Sequence, residues 1–124
     1  MTIFSSCDDT KNLTIFTVEG SLTFDEQITT LQEFYSADPT ANVLWDFRGH
    51  KGNRISSEEV QKIISLVKSY GNKRPKGKTA LVSNKDLDFG LSRVSEAYAN
   101  IENLPWEIRS FRSMDEALKW INDE

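Results

Sequence analysis

The segment Lys78–Val94, KTALVSNKDLDFGLSRV, constrains this chain more than any other. Thr79–Ser83 is a short apolar run bounded by polar residues, the pattern of a strand covered on both faces. It passes through the turn Ser83-Asn84-Lys85-Asp86 into a helix that opens near Asp86. Either Asp86 or Asp88 would complement the positive end of that helix, and the turn supplies side chains able to cap it. A covered strand that turns directly into a helix belongs to a sheet with helices packed against it.

The rest of the chain repeats this alternation. Thr2–Ser5 and the alternating stretch Leu13–Glu19 are expected to form a hairpin around the turn Cys7–Asn12, which leaves the first strand at the sheet edge. Thr23 and Glu26 have capping-box spacing, and Phe24, Ile28, Leu31, Phe34 and Tyr35 mark one side of a helix that stops before Pro39. Asn42–Phe47 is the next strand, with Val43, Trp45 and Phe47 on one side, followed by a positively charged loop from Arg48 to Arg54. Ser56 opens a second helix, again with capping-box spacing to Glu59; Val60, Ile63, Ile64 and Val67 are its buried stripe and Gly71 its stop. Lys73, Arg74, Lys76 and Lys78 read as solvated charge that suits the negative end of that helix. Leu87, Leu91, Val94, Tyr98 and Ile101 recur at helical spacing and are taken as the inward face of the third helix. Glu107–Phe111 is a last strand, and Ser113 with Glu116 caps a final short helix.

The order is β-β-α-β-α-β-α-β-α. Connections this short imply one α/β domain over residues 1–124, with a mostly parallel five-stranded sheet, an antiparallel N-terminal edge strand and four helices. A net charge of −4 supplies no basic field for nucleic acid. The single cysteine, Cys7, excludes an internal disulfide and suits a reduced, cytoplasmic setting. No window approaches the roughly 18 consecutive apolar residues of a membrane helix, and Met1–Ser6 lacks the pattern of a secretory leader. His50 is the only histidine, which argues against a histidine metal cluster. There is no nucleophile elbow, phosphate-cradling glycine loop or metal-ligand motif, so neither an enzyme nor a cofactor is expected.

Three segments together resemble the STAS family (sulfate transporter and anti-sigma-factor antagonist), in its SpoIIAA-like branch. They are Leu44-Trp45-Asp46-Phe47-Arg48, Asp86-Leu87-Asp88-Phe89-Gly90-Leu91-Ser92-Arg93 and Asp115-Glu116-Ala117-Leu118-Lys119-Trp120-Ile121. The resemblance spans Leu13 to Ile121 and implies a small α/β module that regulates or binds. Phe89-Gly90 belongs to the pattern, and close packing of the helix start on the sheet is the expected reason. Anti-sigma-factor antagonists carry a phosphorylatable serine at the start of the second helix, where this chain has Ser56 and Ser57. Ile55 stands where those proteins have an aspartate and Glu58 where they have a glycine. Ser56 also has a purely structural use as an N-cap.

In a parallel sheet the loops at the carboxyl ends of the strands gather on one side, together with helix N-termini that suit anions. Arg48, His50, Lys51 and Arg54 fall there and, with Arg93, are the candidates for binding an anion or a partner; Arg93 is also expected near enough to pair with an acid such as Asp46. The expected function is a non-enzymatic regulatory or interaction module that binds a protein partner or itself as a homodimer. The alternative is a binding protein for a small anionic or lipid-like ligand at the carboxyl edge. An apolar cavity beneath the helices would favour the alternative, and a flat exposed patch rimmed by charge the interaction module.

Overall fold

The computed structural model describes residues 2–51 and 55–123. Its elements are β1 (Ile3–Asp8), β2 (Leu13–Gly20), α1 (Phe24–Ser36), β3 (Asn42–His50), α2 (Ser57–Ser69), β4 (Lys78–Val82), α3 (Asp86–Glu102), β5 (Glu107–Phe111) and α4 (Met114–Asn122). The five strands form one sheet in the order β1-β2-β3-β4-β5. β1 pairs antiparallel with β2 and the remaining pairs are parallel, as the alternation of elements predicts.

Two cores divide along the sheet because side chains alternate across each strand. On one face Phe16, Val18, Val43, Trp45 and Leu81 meet Leu31 and Tyr35 of α1 and Ile63 and Val67 of α2, with Trp106 beside them. Trp45 is only 4% exposed and stacks between Phe16 and Phe47, with ring centroids 4.6 and 5.7 Å away. On the other face Leu13, Leu44, Ala80 and Val82 are covered by Ala117 and Ile121 of α4.

Capping chemistry fixes where the helices start. Thr23 Oγ1 accepts from the Glu26 backbone N–H, and Ser113 Oγ from that of Glu116. Ser56 completes a full capping box: its hydroxyl accepts from the Glu59 N–H, while the Glu59 carboxylate accepts from the Ser56 N–H at 2.9 Å. α3 differs, because its N-cap is Lys85 and no side chain caps it. Asp86 and Asp88 in its first turn supply the expected negative charge.

Four local expectations change. β3 runs on to His50, so Arg48–His50 is strand rather than loop. Between the pairs Thr17↔Asp46 and Glu19↔Gly49, β3 advances three residues while β2 advances two. That bulge breaks the alternation and puts His50 beside the same cavity as Phe47. Arg74 is buried rather than solvated: Nε donates to the Ala41 carbonyl, Nη2 to the Lys78 carbonyl, and the guanidinium lies 4.6 Å from the Trp106 ring. The inward face of α3 is Asp88, Ser92 and Ala99, whereas Leu87 and Ile101 are 78% and 73% exposed. Gly90 is likewise exposed, and a Cβ there would meet nothing within 4 Å, so it does not pack on the sheet.

Candidate functional site

The bulge in β3 and the first turn of α3 bring two ionisable side chains together. His50 Nδ1 lies 3.3 Å from Asp88 Oδ1, with both side chains almost fully buried. Lys85 Nζ donates to the His50 carbonyl at 2.6 Å and ties the strand end to the helix start. Behind Asp88, the Ser92 hydroxyl donates to the Asp88 carbonyl, and its oxygen lies 3.5 Å from the Ser83 hydroxyl. A carboxylate against an imidazole nitrogen fixes the ring's tautomer and orientation.

This pair edges a cavity of about 60 Å³ between the sheet and the layer of α1, α2 and α3. Leu22, Phe47, Ile55, Val60, Ile63 and Leu81 give it apolar walls, while Gln27, His50, Asp88, Ser92 and Ser95 line it with polar groups. A second cavity of about 70 Å³ lies against Trp45, Tyr35, Trp106 and Val67. Gln27, Ile63, Leu81 and Ser95 line both. Gln27 is buried, and its Oε1 has no hydrogen-bond partner among the described residues. A wider groove of about 650 Å³ between β1 and α1 is open to solvent and rimmed by Asp25, Glu26, Glu33 and Asp38, so it encloses nothing.

The expected anion cluster does not assemble among the described residues. Arg48 forms a two-point pair with Asp46, through Nε at 2.9 Å and Nη2 at 3.0 Å, and Asp46 also accepts the Arg48 backbone N–H. That pair raises the Arg48 pKa, with some help from Asp115 of α4, on the far side of the sheet from α3. His50 is committed to Asp88, and Lys51 is exposed. Arg93 is exposed and lies 3.9 Å from Glu96 rather than against Asp46, which Arg48 occupies. Arg54 lies outside the described residues. Ser56 and Ser57 are exposed at the start of α2, and a phosphate there would stand beside Glu58 and Glu59.

Asp88 is the site residue that the sequence reading left without a partner. Thirty-eight positions separate it from His50. The one local signal was a polar residue on the helix side that hydrophobic spacing assigns to solvent. Among the described residues, no group of three or more His, Cys, Asp or Glu side chains is arranged to hold a metal ion, and no helix is long and apolar enough to cross a membrane. Comparison with family models, curated proteins and solved structures gave no match to the chain.

Proposed function

We propose that the chain is a non-enzymatic binding module of the STAS type whose ligand is a small, mostly apolar molecule with one hydrogen-bonding end. The observation that carries this reading is a pair of neighbouring cavities beneath α1–α3 that share Gln27, Ile63, Leu81 and Ser95 as walls, the first of them edged by His50 and Asp88. Their volumes, about 60 and 70 Å³, approach the roughly 150 Å³ at which an apolar protein cavity holds a molecule the size of benzene only when one ligand spans both. The aromatic walls at Trp45, Tyr35 and Trp106 suit an apolar body. A carboxylate, an imidazole and an amide at the other end suit a hydroxyl or an amine better than an anion, because Asp88 would repel negative charge. The anionic alternative loses support for the same reason and because Arg48 is already neutralised.

A titration with 1-hexanol, which has an apolar chain and one hydroxyl, tests the reading. Saturable amide shifts in two-dimensional NMR at Gln27, Ile63 and Leu81 are expected, with a rise in melting temperature that follows occupancy. Ser95 lines both cavities. Ser95→Leu should therefore fill them and abolish the shifts while leaving the spectrum folded. Shifts that never saturate, or that survive in Ser95→Leu, would remove the ligand-binding reading.

A further inference from the structure

β1 is the outer strand of the sheet, and one of its edges is unpaired. The Glu19 N–H donates to the Thr2 carbonyl, so by alternation Phe4, Ser6 and Asp8 also turn their backbone groups toward β2. Ile3, Ser5 and Cys7 therefore point their N–H and C=O groups outward. Edge strands are ordinarily guarded by charge, proline or a bulge. Ile3–Cys7 has none of these and pairs with β2 in unbroken register. Beside this edge runs the open groove of about 650 Å³ between β1 and α1. Ser5 and Cys7 are small, and Phe16 and Phe34 supply apolar surface next to them. Asp25, Glu26 and Glu33 of α1, with Asp38 just beyond it, rim the groove, and no lysine or arginine lines it among the described residues. None of the four carboxylates takes part in an ion pair of the described residues. α1 itself contains no lysine or arginine.

We infer that the free edge of β1 and this groove receive an extended segment of a partner protein, rich in lysine or arginine, which adds to β1 as a further strand. Unpaired backbone donors and acceptors call for a strand, and the carboxylates set the sign of the charge it carries. In an added strand every second side chain turns toward the α1 side of the sheet. Long cationic side chains there lay their stems beside Ser5 and Cys7 and bring their charged ends to the carboxylates of α1. A second copy of β1 is a poorer occupant. Two-fold antiparallel pairing of the edges keeps both α1 helices on the same face and sets one acidic row against the other. The four carboxylates line neither cavity beneath α1–α3, so the proposal stands or falls independently of the small-ligand reading.

The probe is a short peptide alternating lysine and threonine, titrated into the full chain at about 0.15 M salt, where distant charges are screened. Two-dimensional NMR should show saturable shifts along β1. Solvent exchange of the Ile3, Ser5 and Cys7 amides should slow, while Phe4 and Ser6, already bonded to β2, change little. Ser5→Pro removes an outward N–H that β2 does not use, so the chain should stay folded and lose the peptide. Glu33→Lys/Asp38→Lys alters only exposed side chains and should weaken binding about tenfold. No saturable binding, binding that survives Ser5→Pro or the charge reversal, or equal binding of a glutamate–threonine peptide would each overturn the proposal. Self-association through β1 without peptide would also overturn it, by giving the edge to a second copy of the chain.

Discussion

Arg74 lies in a run of positive charge that reads as solvent-facing, yet it holds the β3–β4 region together. Its guanidinium donates to the carbonyls of Ala41 and Lys78 and covers Trp106. Burial pushes its pKa below the usual guanidinium value, and the nearby Tyr35 partly offsets that. Charge spacing alone cannot separate this residue from Lys73 and Lys76, because what distinguishes it is a planar fork able to satisfy two separate carbonyls. Arg74→Ala should cost roughly 2–3 kcal/mol in urea unfolding by leaving those carbonyls without their donor. Arg74→Lys should recover less than half of that loss. Tyr35 gives a pH counterpart. Burial raises its pKa, against the opposing pull of Arg74. A group whose folded pKa is raised contributes stability that is intact below the unfolded value and is lost as pH climbs past it. Above about pH 10, wild type should therefore lose stability faster than Tyr35→Phe, as measured by urea midpoints across that range. Identical alkaline slopes would show that Tyr35 ionises freely in the folded chain.

At the scale of elements, strand and helix order was legible because α1, α2 and α4 each begin with a capping side chain and each covered strand is a short apolar run. Ser56 is the clearest case. Ser56→Ala should lower stability by about 1 kcal/mol, while Ser56→Asp should be nearly neutral, since aspartate also caps and suits the helix dipole. Two things were not legible. The bulge at the end of β3 arises from pairing with β2 and has no local signature, so His50 reads as a loop residue. Hydrophobic spacing in α3 identifies an apolar stripe correctly but cannot say what lies against it, and the core side is the one with Asp88, Ser92 and Ala99. Glycine positions divide in the same way. Gly77 approaches the backbone just before β3 so closely that a Cβ would lie 2.2 Å from the Ala41 carbonyl oxygen. Backbone cannot yield as a flexible side chain can, so Gly77→Ala should destabilise by roughly 1–3 kcal/mol. A calorimetric melting temperature equal to wild type would show that the loop before β4 relaxes freely.

Across the whole molecule the two faces of the sheet are covered unequally. The α1–α3 side holds stacked aromatics from both sheet and helices, whereas the other face is closed by α4 alone. α4 has nine residues, of which Ala117 and Ile121 are buried. Its last turn is tied down by Lys78, whose Nζ donates to the Trp120 carbonyl at 2.7 Å and to that of Asp123. A helix this short is not stable by itself in water, so its order depends on the side chains it places over Leu44, Ala80 and Val82. A region held by only a few buried side chains opens at a lower free energy than the central strands. In native-state hydrogen exchange, amides of α4 are therefore expected to exchange through a local opening of lower free energy than those of β3 and β4. Ile121→Ala should lower the α4 opening energy by about 2–4 kcal/mol. Global stability falls with it only if opening α4 and unfolding the sheet are one step. Equal protection of α4 and β4 in wild type would mean that the thin face melts together with the thick one, and that a single short helix is enough to make the molecule one cooperative unit.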